Sequence, residues 1–196
     1  MPMKPTDRKT EIINVAARLF KEKGYSAVTV RDIAQAMNIK AASLYNHIQS
    51  KQEILVLIVI TIAEEFTTVM EEVQQSEASA IAKIERIIQL HIDITLRNPD
   101  ALACLNNDWM HLEQEADLKY FLKMRTDYEE NFRQIVKEGV RNGEIQHHNP
   151  EVIIFSILST LRTLYLWYNK TKSLSENTLR NDMRNVLLNG ITINAR

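Results

Sequence analysis

Apolar residues return every three or four positions along almost the whole chain, and little interrupts them: 196 residues contain only four glycines and four prolines. A β-sandwich of this length needs many turns, which draw on Gly and Pro, so the pattern favours an all-α fold. The few breakers stand where helices would start or stop. About nine helices are expected and no convincing strand. A chain this long can bury roughly 70% of its unfolded surface, enough for a real core.

Composition narrows the class further. Hydrophobic residues make up 45% and charged residues 25%, which excludes a disordered tail or a fibre. The single cysteine, Cys104, excludes an intrachain disulfide and a Cys-rich zinc module. The start, Met1 to Asp7, lacks the apolar stretch of a secretion signal. The longest apolar run, Ile54 to Ala63, covers about half of the ~20 residues a membrane span requires. A cytoplasmic location without a membrane partner is expected.

The near-neutral total hides an asymmetry. Residues 1–51 hold nine Lys/Arg and four Asp/Glu, a formal +5; since the whole chain is −1, the remainder carries −6. A basic front on an acidic body suits a nucleic-acid-binding segment joined to something else. The expected division is a DNA-binding domain over 1–50 and a helical body over 51–196.

Within the basic part, Thr6 or Asp7 can cap a first helix with apolar positions Ile12, Ile13, Ala16, Ala17, Leu19 and Phe20, ended by Gly24. Thr29 caps a second short helix bearing Val30, Ile33, Ala34 and Met37. Asn38, which tolerates the left-handed conformation, stands at the turn, and Ile39 follows as an anchor. A third helix is expected from Ala41 to Ile48, and Ser50-Lys51-Gln52-Glu53 forms a capping box for a long fourth helix. Two short helices across a tight turn, braced by an earlier one, make a helix-turn-helix. On the third helix Leu44 and Ile48 face inward, while Asn46, flanked by Ala42 and Ser43, points away. That small polar wedge fits a major groove ~12 Å wide, where Asn pairs with adenine, Ser reaches base edges and an Ala methyl meets thymine. Tyr45 and His47 flank the wedge at the groove walls. Lys51 and the Thr29 hydroxyl, both at helix starts, offer further phosphate contacts.

The string Thr29-Val30-Arg31-Asp32-Ile33-Ala34, then Leu44-Tyr45-Asn46-His47-Ile48, then Ser50-Lys51-Gln52-Glu53-Ile54-Leu55 resembles the DNA-binding domain of TetR/AcrR transcriptional regulators. The likeness covers roughly Lys9 to Leu57. Three positions depart from the commonest form: Asn38 replaces a turn glycine, Lys40 a Ser/Thr cap and Ile48 a phenylalanine. The resemblance implies a homodimer that binds double-stranded operator DNA, most often as a repressor, and releases it when a small molecule enters the C-terminal domain. By the same resemblance Lys40, Ala42, Ser43 and Asn46 fall near bases, and Thr29, Arg31, Tyr45, His47 and Lys51 near the backbone.

The body reads as helices over Ser50 to Gln75, Ser79 to Arg97, Leu102 to Met110, Glu113 to Asn142, Glu151 to Tyr168 and a last one capped by Ser175. Asn98-Pro99 and Asn149-Pro150 each place proline at a first helical position. The last two helices carry apolar residues on more than one face, so a four-helix contact with a second copy is expected through Ile157, Leu161, Leu164, Met183, Val186 and Leu187. Polar residues among apolar ones make His91, Asn106, Trp109, Tyr128, Arg162 and Tyr165 the expected effector pocket. The stretch from Leu164 to Ser175 is similar to regulators that sense acyl-CoA or aryl-CoA thioesters.

No cofactor and no catalysis are expected, since no Walker loop, Gly-rich dinucleotide turn or nucleophile-base pair occurs. His91, Asp108 and His111 come nearest to a metal set, and no metal is assigned. Glu144 and His147 spell a di-iron-type Glu-x-x-His only once, between Gly143 and Pro150. The competing reading is an all-helical small-molecule-binding protein or metalloenzyme with an incidental basic end. Salt dependence of DNA binding separates the two.

Overall fold

The computed structural model describes residues 8–168 and 174–192. Over these residues the fold is all-α, with nine α-helices, two short 3-10 turns and no strand; one isolated bridge joins Ile145 and Thr192. The helices are α1 (Arg8–Lys23), α2 (Val30–Ala36), α3 (Ala41–Leu44), α4 (Lys51–Gln75), α5 (Ala80–Arg97), α6 (Pro99–Asn107), α7 (Glu115–Arg141), α8 (Pro150–Tyr168) and α9 (Glu176–Asn189). The expected first cap at Thr6 or Asp7 lies outside the described residues.

Local chemistry explains most boundaries. Thr29 and Asp32 form a reciprocal capping box on α2. Pro99 and Pro150 each open a helix, where a missing N–H matters least. At α4 the box is offset: Ser50 accepts from Glu53 N at 3.0 Å, but the Glu53 carboxylate reaches back to Gln49 N at 2.5 Å. The Ser175 hydroxyl accepts from Thr178 N at 3.1 Å and starts α9. The third helix is shorter than expected: α3 ends at Leu44, and tight turns carry the chain to Ile48, whose N–H still reaches Leu44 O at 3.2 Å. Lys40 supplies no side-chain cap to hold it longer.

Packing sorts the described residues into two compact units: 8–63 with 98–122, and 64–97 with 123–168 and 174–192. Both α4 and α7 contribute to each, so compactness follows a different division from the one at residue 50. In the first unit α1 packs against α6. Ile12, Ala16, Ala17 and Phe20 join Leu102, Ala103 and Cys104 in its core. The Cys104 thiol lies 3.7 Å from Ala17 O, and Lys21 pairs with Asp100 at 2.7 Å. Lys9 bonds Glu53 at 2.8 Å, tying α1 to the start of α4.

In the second unit α5 packs on both α8 and α9. Its Ile84, Ile87, Ile88, Ile92 and Ile94 share a core with Phe132, Ile135, Val136 and Ile153. Glu85 pairs with Arg184 and Asp93 with Arg180, both on α9. Gly139 of α7 admits a close approach: a Cβ there would stand 2.5 Å from Ile145 Cδ1 and 2.7 Å from Ala80 Cβ.

Candidate nucleic-acid interface

The turn between α2 and α3 is set by one residue in an unusual conformation. Asn38 has φ 54, the left-handed region that Asn visits more readily than most residues. With it there, Ile39 N bonds Ala34 O at 3.0 Å and Met37 N bonds Ile33 O at 3.1 Å, closing the end of α2. Ile39 is half-buried rather than a full anchor. Arg31, Gln35, Asn38 and Lys40 then border an open groove of about 540 Å³ between the two helices.

Leu44 and Ile48 are buried in the first unit, and that fixes which side of α3 faces water. Ala42, Ser43, Asn46 and His47 are exposed, as are Lys40 and Arg31. Tyr45 is 55% exposed despite its large ring. An exposed helix face without long side chains is sterically able to enter a groove, and it carries donors and acceptors suited to base edges. Thr29 is exposed, but its hydroxyl is engaged: it donates to Asp32 Oδ2 at 2.6 Å and accepts from Asp32 N at 3.2 Å. Thr29 N–H also donates to Asp32 Oδ2 at 2.7 Å, and the two bonds that the carboxylate accepts, the hydroxyl's first, hold the Asp32 carboxyl below its ordinary pKa.

Lys51 departs from its expected role. Its ammonium donates to Tyr25 O at 3.0 Å and Val28 O at 2.9 Å, and sits 4.1 Å from the centre of the Tyr25 ring. The side chain is an internal strut for the loop between α1 and α2, not an outward phosphate contact. Tyr25 O already accepts from Val28 N at 3.2 Å in the 3-10 turn, so the lysine takes its second lone pair together with the Val28 carbonyl. Tyr25 also stacks on His111 at 5.1 Å, and Gln52 Nε2 donates to His111 O. This cluster was not legible in the sequence, apart from the signal of a lone aromatic directly after the Gly24 stop.

The expected effector residues are divided between the units. In the second, His91 Nε2 and the Tyr128 hydroxyl lie 3.0 Å apart, both side chains buried. Phe66, which sequence reasoning passed over, stands 4.5 Å from the imidazole, centre to centre. Arg162 is paired with Glu129 at 2.7 Å, and Tyr165 is buried on α8. Asn106 and Trp109 belong to the first unit. Asn106 there donates to Leu102 O at 3.0 Å, and Trp109 stacks on Phe121 at 5.6 Å. Among the described residues no three His, Cys, Asp or Glu side chains gather as a metal set. His91 is in one unit, Asp108 and His111 in the other.

The expected face for a second copy needs correction. Ile157, Leu161 and Leu164 are buried within the chain itself, because α8 turns them towards the core it shares with α5. Met183 and Leu187 are half-buried, and Val186 is 73% exposed. The exposed apolar side chains of α8 are instead Val152, Phe155, Leu166 and Trp167, with Phe155 at 74%. Between them Ser156, Ser159, Thr160 and Thr163 direct their hydroxyls to carbonyls one turn back, which leaves a low, satisfied strip.

A helix-turn-helix with an open, small-residue face, joined to a helical body, defines a DNA-binding regulator class. Residues 12–58 match the family described as bacterial regulatory proteins, tetR family, and residues 77–191 match the tetracyclin repressor-like C-terminal domain. The chain belongs to the TetR family of transcriptional regulators. It is 26% identical, over 94% of its length and 91% of the relative's, to the HTH-type transcriptional repressor KstR2 of Rhodococcus jostii. Its fold matches the solved structure of ketosteroid transcriptional regulator KstR2 of Mycobacterium tuberculosis with a TM-score of 0.88, at 19% identity, covering 97% and 98% of the two chains. It also matches AibR, solved with isovaleryl coenzyme A and operator DNA, with a TM-score of 0.76, at 22% identity over 92% and 97%. No helix among the described residues is long and apolar enough to cross a membrane.

Proposed function

We propose that this chain is a ligand-responsive, DNA-binding transcriptional repressor that acts as a homodimer in the cytoplasm. The observation that carries the reading is the outward face of α3 and its turn. Ala42, Ser43 and Asn46 stand in solvent, held there by Leu44 and Ile48 in the core beneath. Asn46, Ser43, Ala42 and Lys40 read bases; Arg31, Tyr45 and His47 take phosphates, with Thr29 holding the start of α2 in place. The functional division is residues 1–50 for DNA and 51–196 for effector and second copy. Similarity to KstR2 repressors over most of both chains supports repression. The solved AibR complex with a coenzyme A thioester and operator DNA supports an acyl-CoA or other apolar effector. The family is one of regulators, which supports a non-enzymatic role.

The two copies join through the outer face of α8 around Phe155 and the exposed side of α9 around Val186. Asn46→Ala tests the reading head. On selected operator DNA it is expected to reduce discrimination at one base pair by about 1–3 kcal/mol while leaving the salt slope intact. Equal loss on every sequence would reject base reading by Asn46. Absence of any DNA binding at low salt would reject the function itself.

A further inference from the structure

One buried polar atom in the second unit lacks a partner. His91 of α5 is 4% exposed, and its Nδ1 has no hydrogen bond among the described residues. The rest of the ring is tightly placed. Nε2 faces the Tyr128 hydroxyl at 3.0 Å, Phe66 lies 4.5 Å away, and Phe66 and Tyr128 meet edge-on at 5.8 Å. The backbone carbonyl of His91 accepts from the Thr95 hydroxyl at 2.8 Å. Burial first, then the charge of Arg162, lowers the imidazole pKa to about 3, so the ring is neutral and has one proton to place. Burial likewise raises the Tyr128 phenol, which stays protonated.

Counting donors and acceptors decides where that proton sits. If Nε2 carries it and donates to the Tyr128 oxygen, two buried groups go unmet: the Nδ1 lone pair and the phenolic hydrogen. If Nδ1 carries it, the Tyr128 hydroxyl donates to Nε2 and only Nδ1–H is left. Each unmet buried group costs about 1–3 kcal/mol, so the second arrangement prevails. His91 is then a single, oriented N–H donor beside the rings of Phe66 and Tyr128. Arg162, the cation that acts on it, is already paired with Glu129 at 2.7 Å.

We propose that His91 Nδ1–H is the donor that receives a neutral carbonyl oxygen of the effector, a ketone or thioester carbonyl carried on an apolar skeleton. This deepens the effector reading above and rests on it. A carbonyl oxygen supplies an acceptor and brings no proton of its own. A hydroxyl would bury an unmet hydrogen, a hydrocarbon would leave Nδ1–H unmet, and a carboxylate would bury a charge beside a cation already engaged.

The test uses the full chain labelled with ¹⁵N and four phenyl probes: acetophenone, S-methyl thiobenzoate, ethylbenzene and benzoate. The imidazole ¹⁵N shifts of His91 are expected to report the Nδ1–H tautomer in the free protein. Acetophenone or the thioester is expected to move the Nδ1 signal and bind about tenfold more tightly than ethylbenzene, with benzoate weakest. Which of the two binds better separates a ketone from a thioester source. His91→Phe is expected to abolish the preference for carbonyl over hydrocarbon. Tyr128→Phe, which releases the tautomer, is expected to reduce it and serves if the first variant does not fold. An Nε2–H tautomer, equal affinity for acetophenone and ethylbenzene, tighter benzoate, or no binding of any probe overturns the inference. DNA binding is measured on the same protein. If the unsubstituted chain shows no carbonyl preference yet binds DNA, this inference alone fails, whereas absent DNA binding defeats the repressor reading.

Discussion

Replacing Lys51 with methionine keeps most of the side-chain stem and removes the ammonium. Two hydrogen bonds to backbone carbonyls disappear, at 3.0 and 2.9 Å, together with the contact 4.1 Å above the Tyr25 ring. Hydrogen bonds from a charged donor contribute about 1.5–3 kcal/mol each, less where water can substitute, and an exposed cation–π contact about 0.5–1 kcal/mol. Lys51 is half-buried, so a total loss of about 2–4 kcal/mol is expected. With a urea m-value of about 1–3 kcal/mol/M, the unfolding midpoint falls by about 1–2 M. DNA binding gives the opposing control. A phosphate-gripping lysine would shrink the slope of log affinity against log salt by about 0.9 when removed. An internal strut leaves that slope unchanged under conditions where the variant is folded. A slope reduced by about one, with an unchanged urea midpoint, would refute the strut and restore the phosphate contact.

Gly139→Ala is expected to lower stability by about 1–3 kcal/mol, since its methyl would overlap Ile145 and Ala80, and Ile145→Val is expected to recover part of the loss in thermal melts. Burial raises the Asp108 carboxyl above its ordinary pKa. The native state therefore keeps its proton after the unfolded chain has lost it, and stability falls as pH rises from about 4 through the raised value. Asp108→Asn should flatten that portion of a urea-midpoint series, and an unchanged profile would count against it. Asp32 and Glu53 are lowered by their bonds to Thr29 and to Lys9 and Gln49, so they act with the opposite sign: their contribution, present above about 4, is lost as pH falls through their native values. Phe155→Asp is expected to give folded monomers by sedimentation with helical content kept, whereas Ile157→Asp is expected to unfold the chain. A dimeric Phe155→Asp protein would reject the outer face of α8 as the contact.

Much of this fold could be read from residue order because its determinants are local. Thr29 with Asp32, Ser50 with Glu53, Pro99, Pro150 and Ser175 each act within one helical turn, and the helix starts they announce are where the structure has them. The inward pair Leu44 and Ile48 follows from the same short-range periodicity. The role of Lys51 is hidden in the residue order for the opposite reason. Its partners, Tyr25 and Val28, are 26 and 23 positions away, and a helix-start lysine reads as a phosphate ligand until those carbonyls are in view. The α8 error has another origin. A helix apolar on two faces does not reveal from spacing which face meets its own core, and only the packing of α5 beneath it decides. Likewise Asn106 and Trp109 share the composition of a pocket lining with His91 and Tyr128, yet tertiary packing sends the pairs to different units.

The two exposed faces of this chain obey opposite rules, and their contrast bears on how it works. On α3 and the turn after it exposure is cheap, because Ala42, Ser43 and Asn46 present little apolar surface. On α8 it is not: Val152, Phe155, Leu166 and Trp167 are each half-exposed or more, with Val186 of α9 adding to them. Full burial of such side chains contributes about 1.5–3 kcal/mol each, so covering their exposed portions on two copies offers on the order of 10 kcal/mol. That is comparable with the roughly 4–15 kcal/mol lost on association, so the pairing becomes favourable only if the strip packs closely. The small, satisfied hydroxyls of Ser156, Ser159, Thr160 and Thr163 permit that approach. In the proposed dimer, pairing in turn gives the short α3 head its affinity. One head makes few phosphate contacts, but a second head carried on the same body binds at high effective concentration when half-sites lie about 34–36 Å apart. Monomeric Phe155→Asp protein should consequently lose operator affinity far more than it loses affinity for an isolated half-site.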